Sequence, residues 1–365
     1  MPLDRLLLCP LALFAAPAWA HETHEPHGAH LAHHAPAPDA THALTVEAQK
    51  ILETYTVAAP PEAPRLLFDF DDPARREFDF LPQSMRRGEQ GLSLADMAPA
   101  QKRSTHALLR ALLSQEGYLR VQAIRSLEDV LRAAGGDPDM RDPEKYSLRL
   151  YGRPGFDAPW GLRFEGHHVA LSATVVDGQF RGTPLFLGAS PDEVPGGAFA
   201  GLRSLQPHQD LARELLLSLS ADQRSQVVQE AYTPEHRIQV GPLGPVGPAA
   251  GLPAARMSPA QRELLLRLVA GYASNLREDF AADELARVRA AGVEELHFLW
   301  RGETAPGRPC SYRVQGPTLV LDYDLIGSGD ERPADHVHTL WRDPERDYGA
   351  DLLAAHYAAE HEQDR

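Results

Sequence analysis

Cysteine is nearly absent: Cys9 and Cys310 are the two thiols in 365 residues. So few exclude a disulfide framework, and the core must hold together by packing. Beyond the first twenty residues no apolar run reaches the roughly 18 positions of a spanning helix, which excludes a helical membrane span. Positive charge is in deficit, with 51 acidic against 36 basic residues and a formal net charge of -15. A phosphate-binding surface needs clustered Lys and Arg, so nucleic acid is not an expected partner. The chain also has no G-x-S-x-G elbow, no G-x-x-x-x-G-K-[ST] loop, no G-x-G-x-x-G and no H-E-x-x-H. Readings as a serine hydrolase, a nucleotide-binding protein or a zincin therefore lack support.

What is present begins with an export signal. Residues 1–20 read MPLDRLLLCPLALFAAPAWA, with an apolar stretch from Leu6 to Phe14 and Ala18 and Ala20 as an A-x-A site. This is the layout of a cleavable secretory signal, and it implies a periplasmic or extracellular protein. Cleavage after Ala20 removes Cys9 and leaves Cys310 as a lone, structural thiol.

The expected mature N-terminus, residues 21–43, is rich in histidine: seven of the 17 lie between His21 and His42. It has no apolar periodicity, so it reads as disordered. Imidazoles at such spacings chelate Cu, Ni or Zn, which makes metal capture one reading and a solvated tail the other.

From residue 44 the text changes to one large globular domain, 44–365. LTVEAQKILETYTVAA reads as a first helix with Thr45 as its cap. Helical periodicity returns over 99–114, 117–134, 206–232, 258–272, 279–291 and 349–362. Period-two alternation marks strands over 146–152, 161–176 and 183–190, and again over 296–301, 311–315, 318–325 and 336–341. Gly316-Pro317 reads as the turn between two of these. The fold class is α+β: a mixed, mainly antiparallel sheet with packed helices. Met97-Ala98-Pro99-Ala100-Gln101 echoes Met257-Ser258-Pro259-Ala260-Gln261. Shared helix-start chemistry accounts for that echo more simply than a duplicated unit does.

Candidate chemistry gathers on histidines and carboxylates. His336-Val337-His338 places two imidazoles on one face of a strand, with roots about 7 Å apart. Gly166-His167-His168 opens another strand, and either His167 or His168 is a candidate third ligand. Asp322 and Asp324 share a face and are candidate bases or orienters of a ligand. Arg342 is a candidate for steering an anionic substrate.

Several of these segments together resemble a known family. GHHVALS (166–172), FLGASPDEV (186–194), YRVQGPTLVLDYD (312–324), HVHTLWRD (336–343), DYGADLLAAHY (347–357) and FDDPARREFDFLP (70–82) look like the DUF3500 family. The resemblance covers nearly all of the mature body and implies one continuous domain across the Pro/Gly stretch 241–255. It supplies no mechanism. The family pattern includes histidines at 167, 168, 336, 338 and 356, while this chain departs from it at Ser172, at Asp322 and after Asp324. The expectation that follows is an exported metal-dependent enzyme, hydrolase or oxidase, with a divalent Zn, Cu or Fe held by histidines and a small-molecule substrate. A metal carrier and a metal-free ligand-binding domain are the alternatives.

Overall fold

The computed structural model describes residues 38–58, 65–229, 231–327 and 334–363. The expected signal peptide and most of the histidine-rich segment lie outside these residues. The first helix starts earlier than its apolar pattern suggests. It runs over α1 (Pro38–Ala58), so residues 38–43 belong to it. Thr45 is therefore no cap: it is buried within the helix and donates to the Thr41 carbonyl at 2.8 Å.

The first half of the chain continues with β1 (Leu67–Phe68), β2 (Leu92–Ser93), α2 (Pro99–Leu112) and α3 (Gln115–Ala133). Five strands follow: β3 (Ser147–Tyr151), β4 (Trp160–Gly166), β5 (Val169–Val176), β6 (Gln179–Arg181) and β7 (Leu185–Ala189). The second half holds α4 (Gln206–Ser218), α5 (Ala221–Val227), β8 (Leu252–Pro253), α6 (Pro259–Ala273) and α7 (Glu278–Ala291). It closes with β9 (His297–Gly302), β10 (Cys310–Gly316), β11 (Leu319–Ile326), β12 (His336–Arg342) and α8 (Ala350–Gln363). Local chemistry sets several starts. Ser258 caps α6, with Pro259 at its first position and Gln261 closing the capping box. Ser220 and Gln223 do the same for α5.

All twelve strands join one sheet, ordered β1-β3-β4-β5-β7-β12-β11-β10-β9-β8, with β2 on β3 and β6 on β5. The short β1–β3 pair is parallel and the other strand pairs are antiparallel. This is the mixed, mainly antiparallel α+β architecture the patterning implies. Gly316 pairs with Leu319, so the β10–β11 turn is Pro317-Thr318 and not Gly316-Pro317.

The order also explains the echo between residues 97 and 257. Each half runs helix pair, then meander: α2–α3 before β3, β4, β5 and β7, and α6–α7 before β9, β10, β11 and β12. The innermost strands β7 and β12 meet antiparallel at the centre, with Leu185 opposite Trp341. Gly91 and Gly251 occupy matching places before β2 and β8, both at positive φ. A Cβ there would lie 2.5 Å from the Leu148 carbonyl oxygen and 2.2 Å from that of Phe298. Helix-start chemistry alone does not produce matching strand partners, so the echo marks a repeated unit.

The two faces of the sheet differ. Phe164, Leu171, Leu187, Trp341, Tyr323, Tyr312 and Trp300 are buried in the main core, against the helices. The opposite face carries Arg163, Glu165, Ser172, Asp322, Asp324, His336 and His338, as period two requires. Segments 65–91 and 231–247 cross this polar face. They bring Phe78 and Phe80 onto Ala170, Phe186 and Leu340, with Ile238 and Leu243 beside them. No helix among the described residues is long and apolar enough to cross a membrane.

Candidate metal centre

His336 and His338 project from β12 onto the polar face. Their cross-strand partners on β11 are Ile326 and Asp324. On the other side, His338 pairs with Gly188 of β7. The third histidine comes from a turn. Gly166 pairs with Val169, so His167 and His168 are the two turn residues between β4 and β5. Strand alternation therefore does not decide which of the two rings faces the cluster.

His168 has φ of 66°. That left-handed backbone costs a non-glycine residue ~1–3 kcal/mol and persists only where the surroundings hold it. Here the His168 N–H donates to the Phe80 carbonyl at 2.9 Å, and the Gly188 N–H donates to the His168 carbonyl at 2.8 Å. The Tyr146 hydroxyl donates to the His167 carbonyl at 2.7 Å.

The turn sends its two rings to different partners. His168 Nε2 lies 2.6 Å from His336 Nε2, and the His168 ring is 5.3 Å from that of His338. One ring nitrogen from each of His168, His336 and His338 lies within 4.8 Å of the others, close enough to hold a metal ion. His167 instead bonds the carboxylate of buried Glu128, and Arg141 stands 3.9 Å from that carboxylate. Its ring stacks on His168 at 3.8 Å. Of the two candidates for the third ligand, His168 is the one in the cluster. His167 sits behind it.

The cluster suits a cation. His168 and His338 are 3% and 6% exposed. Burial, then the neighbouring His167, pushes His336 down to about 4. His168 and His338 are held well below the ordinary histidine value, again by burial first. The neutral form is favoured, in which each ring keeps one lone pair for a cation, and neither ring nitrogen of His338 has a hydrogen-bond partner. Buried ring nitrogens without a partner, as in His338, are costly unless a cation or proton satisfies them. Ring nitrogens 2.0–2.1 Å from a tetrahedral zinc lie about 3.4 Å apart, so small ring rotations would suffice.

Apolar walls surround the rings. Phe80 and Phe186 stack on each other at 4.0 Å and lie 4.9 and 5.2 Å from His338. Gly188 leaves space for the His168 ring: a Cβ there would be 2.9 Å from His168 Cδ2 and 3.0 Å from the Val337 carbonyl oxygen.

The other sequence candidates divide. Asp324 is 1% exposed and accepts from the Ile238 N–H at 2.6 Å. Burial pushes its carboxyl up to about 8. Asp322 is paired with Arg313 by two bonds of 2.7 and 2.9 Å. Arg342 donates to Asp347 and to the Gly244 carbonyl, both at 2.9 Å, which pins the crossing segment to β12. It lies four residues beyond His338, outside the cluster. His356 bonds Asp177 and is also elsewhere. Cys310 is buried, with its thiol pushed up to about 12 by that burial.

Phe80, Phe186, Gly188 and Glu128 escaped the sequence reading. The first three lie inside the segments that carry the family resemblance, yet as isolated residues they have no chemical signature. A family model described as a protein of unknown function, DUF3500, matches residues 39–350. Neither the comparison with curated proteins nor that with solved structures gave a match. The match takes in both repeats, the sheet they build and all three clustered histidines, and on that extent the chain belongs to the DUF3500 family.

Proposed function

We propose that this chain is an exported metal-dependent enzyme whose metal is held by His168, His336 and His338. The observation that supports the reading is the convergence of three imidazoles, those of His168 and His338 buried and that of His336 partly so, from a strained turn and a strand. Three protein nitrogens with a fourth position open are the pattern of catalytic sites, whereas structural zinc sites are closed by four ligands. A bound metal supplies a Lewis acid and an acidified water, or with copper or iron a redox centre. Which of these operates, hydrolysis or oxidation, follows from the metal.

The residues around the cluster have separable jobs in this reading. Phe80 and Phe186 keep water from the rings, which lowers the local dielectric and strengthens the ligands' hold on a cation. Glu128 and His167 brace the turn that presents His168. Asp324, across from His338, is the nearest candidate for moving a proton. Export rests on residues 1–20, and the expected mature chain begins at His21.

Elemental mass spectrometry on the full chain, beside His336→Ala/His338→Ala, tests the centre. The expected result is one more metal ion per chain in the wild type than in the double variant. Equal metal in both, after reconstitution with Zn, Cu and Fe, would leave the histidine-rich segment as the metal-handling part and favour a carrier. Sequencing the N-terminus of the secreted protein checks export.

A further inference from the structure

A cavity of about 350 Å³ opens on the polar face of the sheet next to the histidine cluster. Ser311, Arg313, Asp322 and Asp324 form its floor on β10 and β11, and the segment carrying Arg237 and Ile238 forms its rim. It begins immediately beside the cluster. Asp324 is the cross-strand partner of His338, and Leu340, which also lines the cavity, is the next residue of β12 on the same face. Arg237 lines the cavity and is near enough for its charge to act on the rings of His336 and His338.

The repeat offers a comparison between the two halves. Arg163 and Arg313 are counterparts, each three residues before the hairpin glycine and each opposite a polar residue of the next strand, Ser172 or Asp322. In the first half, Arg163 donates to the carbonyls of Ala74 and Arg75, and Arg75 donates to that of Tyr348. In the second half, Arg313 turns onto Asp322, and both line the cavity.

What lines it selects charge. Ser311 is 3% exposed, and its Oγ is buried without a hydrogen-bond partner. Arg237 Nε is buried without one too. Both can donate, and buried donors left unpaired are costly. Arg301 also lines the cavity. On the negative side, Asp322 is engaged by Arg313 and Asp324 by the Ile238 N–H, while Glu235 stands on the outer rim.

We infer that this cavity is the substrate pocket and takes a small organic anion. Its oxyanion group, carboxylate or phosphate, accepts from Arg237 and Ser311, and its other end points past Asp324 toward the three histidines. The direction of that reacting end rests on the proposed metal centre; the binding of the anion does not.

Calorimetric titration of the full chain with succinate and with inorganic phosphate tests this. One of the two is expected to bind wild type. Arg237→Gln should weaken it about 10- to 100-fold, as loss of a bond to a charged group does, and Ser311→Ala about 5-fold. Succinate binding alone identifies a carboxylate ligand, and phosphate binding alone a phosphate. Failure of both probes overturns the inference, as does unchanged affinity in both pocket variants. If the anion binds while wild type and histidine variant hold equal metal, the metal centre falls and the anion pocket stands. One extra metal without anion binding has the opposite meaning.

Discussion

Asp324 and His338 stand directly opposite each other on neighbouring antiparallel strands, and that one pairing joins the histidine cluster to the cavity beside it. Opposed Cβ atoms in such a pair lie about 4.5–5.5 Å apart. The carboxyl is buried and so are both ring nitrogens of the histidine. Two polar groups placed side by side in a buried setting do little for stability, which supports the functional reading proposed for them.

Gly188→Ala should weaken metal binding without unfolding the protein. The added methyl would press on His168 Cδ2 and on the Val337 carbonyl. The ring is the softer of the two, so it rotates away from His336 and His338. Displacing a ligand's support usually costs 10–100-fold in affinity. Competition against a metal chelator measures this. Wild-type affinity in a folded Gly188→Ala variant would remove His168 from the ligand set.

Glu165→Ala should destabilise the fold by about 3–5 kcal/mol, because it strands buried positive charge. The Glu165 carboxylate is 2.7 Å from Arg149, 3.4 Å from Arg86 and 3.8 Å from Arg163, all on the polar face of the first repeat. Chemical denaturation reads the loss directly. A change under 1 kcal/mol would mean that water reaches these guanidinium groups.

Acid should destabilise the protein through His208. Burial holds this ring, packed edge-on at 4.4 Å against Tyr272, down to about 3. In the unfolded chain it titrates near 6.5. The native state therefore excludes a proton that the unfolded state accepts. Its contribution is fully present above pH 6.5 and is lost as pH falls from there toward 3, at ~1.4 kcal/mol per pH unit. Denaturation midpoints across that range should slope less steeply in His208→Leu. An identical slope would show that His208 is reached by solvent before the protein unfolds.

Much of the fold is written locally. Ser258, Pro259 and Gln261 start a helix wherever they occur, because the cap bonds close within four residues. The strands around Leu321 and Val337 announce themselves through alternation, because each buries one face. The pairing of His336 with His338 is legible for the same reason: period two puts both on one side of β12. The sequence alone also determined the acidic charge balance, the near absence of cysteine and the family resemblance.

Only the tertiary structure decided the rest. Whether His167 or His168 joins the cluster depends on a turn held by Phe80 and Gly188, which lie 88 residues before and 20 after His168. The repeat was audible only as Met-x-Pro-Ala-Gln, because its proof lies in which strands pair. Arg163 and Arg313 look alike in the text. One bonds the carbonyls of Ala74 and Arg75 and the other the carboxylate of Asp322, and the difference is set by what comes within reach. Local bonds and periodicity act over a few residues and can be read from the chain. A site assembled from a turn, two strands and two crossing segments exists only once long-range packing has brought them together.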